Sequence, residues 1–354
     1  MSNALKVGVF GYYSYRNLGD NVMAFQVASH IKREGHHPII FTKNSIDMEN
    51  WGFDLCSDVE DFVKSVDLIF FGGGGLLIPG LRRSKPGGGG FSPDLRLVLD
   101  LANKNDVPMY GFSLGGIGKP LQDIVPEERQ DLVKCLKYLT LRNREDVQLL
   151  EQAGTAGEFL EDMVWATPNF VDVQDSPKSQ RRRVGMCLYR GRSSKFKTLR
   201  RIIELVVRMR QDIDFVFYEV NPNVNGDFGS IAAADNYPNC TRKTLIDVSE
   251  ACKEVASLDL MMTTRLHIGV MAMSYGVPSV AFAGEAKTRL LYRNIGRGHL
   301  FWNLGEVHKF AYTFLFPGAL SRLIDTAPLD RKIMERAQIH FQRMSEILQR
   351  ERQH

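Results

Sequence analysis

Short apolar runs alternate with amphipathic stretches along this chain, and the whole alternation occurs twice. In the first half, Val7–Phe10, Pro38–Thr42, Asp67–Phe71, Met109–Ser113 and Leu139–Arg142 read as strands. Between them, Asp20 is placed to N-cap a helix whose apolar face is Val22, Phe25, Ala28 and Ile31, and further helices are expected over Glu127–Leu136 and Arg144–Gln152, the last closed by Gly154. In the second half, strands at Val184–Leu188, Phe215–Glu219, Asp259–Thr263 and Ser279–Ala283 alternate with helices at Lys197–Arg210, Ser249–Ala256 and Leu266–Tyr275. Such alternation demands parallel β-α-β units, because parallel strands need crossovers and helices supply them. The fold class is α/β: two Rossmann-like open parallel-sheet domains, expected to face a cleft with a ligand at the carboxyl ends of the strands.

Two domains also suit the length of 354 residues. Between Thr167 and Arg183 the pattern lapses into Pro, Asp, Ser, Gln and Arg. The expected division is therefore an N-terminal domain over 5–166, a linker over 167–183, a second domain over 184–310, and helices over 311–354 that pack on the domains. The tail from Asp330 places Met334, Ala337, Phe341, Met344 and Leu348 on one helical stripe.

Composition excludes several classes. With 44% hydrophobic and 24% charged residues the chain can bury a core, which rules out disorder, a collagen-like repeat and a disulfide scaffold. The five cysteines are an odd count with no C-x-x-C pair, which suits a reducing compartment. No basic segment followed by an apolar one opens the chain, and no apolar stretch approaches a membrane span, so a cytoplasmic protein is expected. A net charge of +4 is too small a surplus to indicate nucleic acid. It is unevenly spread, however: Lys178–Arg210 holds 12 basic residues and one acid, Glu204, which leaves the remainder at −7. That segment reads either as a solvated helix face with a basic linker, or as a rim that attracts an anionic, lipid-linked acceptor to the inner face of a membrane.

Familiar motifs fail in turn. Gly8 and Gly11 follow no G-x-G-x-x-G spacing, and Thr42-Lys43 stands where a dinucleotide site needs an acid. Gly118-Lys119 lacks the rest of a P-loop. His36 and His37 are adjacent near a strand start and expected on the surface, no H-E-x-x-H is present, and no metal site is expected. No G-x-S-x-G elbow appears.

What remains is a set of strand-to-helix junctions with polar groups. Gly11–Asp20, GYYSYRNLGD, is a turn in which Asn17 and Asp20 shape the backbone. Phe70–Leu76, FFGGGGL, runs a strand into four glycines, where a ligand could approach the backbone closely; Gly72–Gly75 is expected to form a strand-end loop at the cleft, with Gly87–Gly90 in a mobile loop beside it. Thr264-Arg265-Leu266-His267 ends one apolar strand and opens an apolar helix. A helix N-terminus attracts anions, Arg265 adds a planar fork for carboxylate or phosphate, and His267 can move a proton near neutral pH. Lys287 follows the next strand and Arg142 ends its counterpart in the first half. Two arginines, a lysine and a histidine on strand ends imply a strongly anionic small ligand.

Together these pieces resemble the polysaccharide pyruvyl transferase family over about Lys6–Gly296. GYYSYRNLGD, DLIFFGGGGLL, YGFSLGGIG, LTLRNREDVQLLEQAG and RLHIGVMAMSYGVPSVAFAGEAK occur in the family's order, the last being the most specific. The resemblance implies a GT-B-like pair of domains, the second binding a phosphoenolpyruvate donor, and an acceptor sugar of a polysaccharide or its lipid-linked precursor. The product would be a pyruvate ketal, with phosphate released, no metal, and no cofactor beyond phosphoenolpyruvate as co-substrate. Arg265 and His267 match the family's RLH element and carry the catalytic expectation; Arg142, Leu266, Lys287, Gly73 and Gly74 join them in donor binding. Tyr12, Asn17, Asp20 and Glu285 are assigned to the acceptor or cleft. Asn21, Asn143 and Gly284 depart from residues common in the family. Two other readings compete with this one. A nucleotide-sugar glycosyltransferase of the same build is disfavoured because Arg293, not a glutamate, stands eight residues after Glu285. A non-catalytic glycan-binding relative is disfavoured by retention of Arg265, His267 and Lys287.

Overall fold

A computed structural model describes residues 4–78, 91–120, 123, 127–173, 180–188, 194–222, 236–282, 286–326 and 329–353. The chain forms two compact units, one of Met1–Tyr15, Asp20–Ala166 and Met334–His354, the other of Arg16–Gly19 and Thr167–Ile333.

The first unit is built on seven strands, β1 (Lys6–Phe10), β2 (His37–Phe41), β3 (Asp54–Cys56), β4 (Leu68–Gly74), β5 (Met109–Leu114), β6 (Tyr138–Leu141) and β7 (Glu158–Phe159). Their crossovers carry α1 (Leu18–Arg33), α2 (Val59–Lys64), α3 (Phe91–Lys104), α4 (Glu128–Cys135) and α5 (Arg144–Gln152). Strand order is β3-β2-β1-β4-β5-β6-β7, parallel throughout. Every residue of β4 and β5 is buried, so both faces of the sheet centre are covered. Phe10, Phe41, Phe62 and Phe71 meet in its core, with ring centroids 5.1 Å apart for Phe10–Phe41 and 5.4 Å for Phe10–Phe71. Such aromatic pairs contribute about 0.5–1.5 kcal/mol each beyond the area they bury.

The second unit holds β8 (Arg182–Cys187), α6 (Ser194–Met209), β9 (Ile213–Glu219), β10 (Cys240–Thr244), α7 (Val248–Ala256), β11 (Leu260–Thr263), α8 (Leu266–Ser274), β12 (Ser279–Phe282), α9 (Ala286–Asn294), β13 (Phe301–Trp302), α10 (Val307–Leu315) and α11 (Ala319–Ile324). Its six strands are ordered β10-β9-β8-β11-β12-β13, again all parallel. In each sheet the direction of winding reverses once, between β1 and β4 and between β8 and β11. Those reversals are where crossovers diverge and open a crevice beyond the strand ends.

The last described helix, α12 (Arg331–Glu351), belongs to the first unit from Met334 onward and buries Ala337, His340, Phe341, Met344, Ile347 and Leu348.

Three local expectations change. Gly72, Gly73 and Gly74 are the end of β4 rather than a loop, with Gly72 opposite Phe112 and Gly74 opposite Leu114. The expected linker is partly structured: Met163–Asn169 is a 3-10 helix and β8 already begins at Arg182, while 174–179 lie outside the described residues. His36 is buried rather than superficial, its Nδ1 accepting the Leu5 N–H at 3.0 Å. The run Gly87–Gly90 also lies outside the described residues.

Candidate functional site

The polar junction of the second unit follows β11, next to the reversal point of its sheet. Thr263 ends β11, and its hydroxyl accepts the Arg265 N–H at 2.8 Å while lying 3.1 Å from the Cys187 carbonyl at the end of β8. The Thr264 N–H donates to that carbonyl at 2.9 Å. Both strand ends are thereby tied, and the chain turns sharply into α8. Arg265 occupies the N-cap of α8 with extended backbone, φ −99° and ψ 135°, and makes no side-chain cap. A guanidinium has no acceptor atom to offer the first-turn N–H groups, so this terminus lacks the usual Ser, Asp or Asn and suits an external anion. Arg265 is half-buried, and Leu266 is buried beneath it.

His267 is 9% exposed on the first turn of α8. Its ring lies against Gly19: a Cβ placed on Gly19 would fall 2.0 Å from Nδ1 and 2.5 Å from Cγ. The segment that delivers Gly19 is held on the second unit by the Leu18 N–H, which donates to the Val220 carbonyl at 3.0 Å just beyond β9. Asn17 closes the turn by accepting the Gly19 N–H at 3.3 Å through Oδ1, and Arg16 adopts a left-handed φ of 54° ahead of it. An Asx turn and a left-handed residue bend the backbone within a few positions. Within the second unit, Gly19 is thus brought against His267. Lys287 is half-buried at the start of α9, after β12, which neighbours β11 in the sheet. Glu285 and Gly284 lie outside the described residues.

In the first unit the other expected site residues have structural partners. Arg142, just past β6, is buried and forms an ion pair with Asp162 at 2.7 Å. Its charge is matched inside the fold by a buried carboxylate. Gly73 and Gly74 are packed under α1: a Cβ on Gly73 would lie 2.1 Å from the Met23 Sδ, and one on Gly74 would lie 3.0 Å from Asp20 Oδ1. The absent side chains admit the helix this closely. Tyr12 is half-buried and accepts a hydrogen bond from Arg129, which also donates to the Ile78 carbonyl. Burial pushes the Tyr12 phenol up to about 12, partly offset by the Arg129 charge. Asp20 is buried as well.

One residue missed in the sequence organises the SLGGIG segment. Asp146 on α5 accepts the Gly116 N–H at 2.7 Å and the Gly118 N–H at 2.9 Å. Asn143 completes the arrangement, donating through Nδ2 to Asp146 at 2.7 Å and to the Gly116 carbonyl at 3.2 Å. An aspartate at 143 would set a second carboxylate against Asp146, so the asparagine matches its surroundings. Among the described residues, no group of three or more His, Cys, Asp or Glu is placed to hold a metal ion. No described helix is long and apolar enough to cross a membrane.

A family model described as polysaccharide pyruvyl transferase matches residues 17–285. The chain is similar in fold to the UDP-GlcNAc 2-epimerase of Methanocaldococcus jannaschii, with a TM-score of 0.64 at 10% identity, over 98% of this chain and 99% of that one. It is similar to S. aureus MnaA, solved with UDP, with a TM-score of 0.64 at 12% identity over 97% and 98% of the two chains. Anabaena Alr3699/HepE, solved with UDP and glucose, has a TM-score of 0.57 at 11% identity over 98% and 99%. No curated protein matches by sequence. At these identities the neighbours speak for the fold, two parallel-sheet α/β domains of the kind seen in sugar-nucleotide enzymes.

Proposed function

The chain belongs to the polysaccharide pyruvyl transferase family, and on that premise we propose that it moves the enolpyruvyl group of phosphoenolpyruvate onto two hydroxyls of an acceptor sugar. The observation that carries the proposal is the packing of Gly19 on His267 beside the Arg265 helix start. It sets Gly19 of the first family segment against the helix start that carries both Arg265 and His267, within one unit and at the reversal point of its sheet.

The chemistry follows from the donor. The methylene carbon of phosphoenolpyruvate takes a proton and becomes the methyl group, leaving the adjacent carbon cationic. One sugar hydroxyl bonds to that carbon and loses its proton. The bond from carbon to the phosphate oxygen then breaks, and phosphate leaves with the electron pair. The second hydroxyl bonds to the same carbon and loses its proton, closing the ketal. Of the two hydroxyl protons, one balances the proton taken by the methylene and one departs on phosphate. In this reading His267 supplies and receives the proton, Arg265 and the first-turn N–H groups of α8 hold the donor's anionic groups, and Lys287 offsets charge on the leaving phosphate. Arg142 is paired with Asp162, and Gly73 and Gly74 pack against Met23 and Asp20 in the first unit, so the reading rests on the second-unit residues.

Incubation with phosphoenolpyruvate and candidate glycans, with phosphate release as the readout, tests the proposal. His267→Ala is expected to lower turnover by roughly 10²–10⁴. Undiminished turnover in that variant, or no release with any acceptor, overturns it. Binding of UDP-sugars without any response to phosphoenolpyruvate would instead assign the site to nucleotide-sugar chemistry.

A further inference from the structure

We propose that the face formed by α6 and α10 in the second unit seats the protein on an anionic lipid bilayer. The inference goes beyond pyruvyl transfer and does not depend on it.

Among the described residues seven large apolar side chains are exposed, and four of them, Leu205, Met209, Tyr312 and Phe316, lie on or at the end of these two helices. Single exposed apolar residues are ordinary, whereas a concentration on neighbouring elements marks an interaction surface. The buried side of α6 is Leu199, Ile203, Val206 and Val207. Its outward stripe is Lys197, Arg201, Leu205, Arg208 and Met209, so cations and apolar groups share one side of the helix. On α10, Phe310, Thr313 and Phe314 face inward, while Tyr312 and Phe316 face out with rings stacked 4.8 Å apart.

The two helices are joined at this end. Arg210 donates to the Phe314 carbonyl and is itself clamped by Asp212 at 2.7 and 2.6 Å. A concavity beside Phe316 is lined by Arg182, Arg210, Leu320 and Ser321, among others. Exposed cations flank the aromatic pair: Arg322 donates to the Tyr312 hydroxyl at 3.2 Å and Arg182 to Ser321 at 3.3 Å. Of the acids on these and adjoining elements, Glu204 is half-buried on α6, Asp212 is committed to Arg210, Glu306 is paired with Lys309, and Asp325 is exposed just past α11.

A partner for this face must receive apolar and positive groups in one plane. The boundary between lipid headgroups and acyl chains does so, since apolar side chains enter the acyl region while Lys and Arg meet anionic headgroups. A second copy of the same face would set these cations against their own kind, which disfavours a symmetric dimer.

Co-sedimentation with phosphatidylglycerol-containing vesicles, compared with phosphatidylcholine vesicles, tests the proposal. Wild-type protein is expected on the anionic vesicles, with binding that weakens as salt rises. Each Lys or Arg near such a surface contributes about fivefold in affinity, so Arg201→Glu with Arg208→Glu should weaken binding by roughly 25-fold or more. Leu205→Ser, Met209→Ser and Phe316→Ser combined should also release the protein. All five positions are exposed, and circular dichroism checks that the variants remain folded. No wild-type binding to anionic vesicles, equal binding to neutral ones, or unchanged binding in both variants overturns the proposal. So does sedimentation velocity showing a dimer that Phe316→Ser abolishes, which would assign the face to a second copy.

Discussion

A methyl group on Gly19 would collide with the His267 ring, yet Gly19 sits in the first turn of a helix with an ordinary negative φ. Alanine is favoured over glycine inside helices by about 0.5–1 kcal/mol, so backbone preference and site geometry oppose each other here. Gly19→Ala is therefore expected to leave a folded protein whose His267 ring is displaced, with kcat falling by about 10- to 100-fold, in line with what a misplacement of about 1 Å costs. Gly305→Ala, where nothing lies within 4 Å of the added carbon, is the control and should change neither kcat nor KM. Equal kcat in Gly19→Ala and wild type would remove the positioning role. Arg265 and His267 were legible in the sequence because both follow an apolar strand and open an apolar helix. The contact of His267 with Gly19 was not, since it joins residues from opposite ends of the matched region. Arg142 illustrates the same limit: its place at a strand end is readable, but the Asp162 that pairs with it comes from beyond β7 and no spacing rule links them.

Elements differ in how strongly they announce themselves. The central strands β1, β4, β5, β8 and β11 carry apolar runs where both faces are covered, and those runs stand out in the sequence. The edge strands β3, β7, β10 and β13 escape notice: Asp54–Cys56 and Glu158–Phe159 are short and partly exposed, and Cys240–Thr244 is mostly polar. Edges are paired on one side only, so their residues need not be apolar. In α12 the stripe Ala337, Phe341, Met344 and Leu348 is readable, but the fully buried His340 within it is not. Its Nδ1 meets the Thr140 hydroxyl at 2.9 Å and its Nε2 the Glu161 carbonyl at 2.8 Å. Burial pushes the imidazole down to about 4. Between pH 4 and the ordinary histidine value near 6.5 the unfolded chain binds a proton that the folded one does not. Stability is therefore lost as pH falls through that window, at up to about 1.4 kcal/mol per pH unit. Denaturant titrations across that range should show a shallower acid dependence for His340→Gln than for wild type. Identical slopes would mean that His340 is protonated alike in both states.

At the scale of the molecule, the first unit is discontinuous: α12 follows the second unit in sequence yet completes the first. Its contacts reach far along the chain, His30 to Ser345 at 3.0 Å and Tyr110 to Glu351 at 2.5 Å. Removing residues 331–354 would withdraw Phe341, Met344, Ile347 and Leu348 from the unit's interior. At about 1.5–3 kcal/mol for each large apolar side chain, that loss is comparable with the roughly 5–15 kcal/mol that stabilises a whole domain. Hydrogen exchange on the truncated protein is expected to show β1, β4 and β5 amides unprotected while β8, β9 and β11 keep their protection. Undiminished protection in the first sheet would show that α12 is dispensable. The two-unit plan could be read from the doubled alternation of strands and helices, whereas the return of the tail to the first unit could not, because an amphipathic stripe says that a helix is covered and not by what.

That return also sets an order of assembly during synthesis. A nascent chain leaves the ribosome from its N-terminus, and domains fold as units as they emerge. The second unit has all its strands available while the first still lacks its closing helix. The earliest-made sheet must then wait, with the surface destined for α12 open to solvent, until translation of the second unit is over. The interval when the first unit is most exposed to misfolding and to chaperones is fixed by the length of its neighbour.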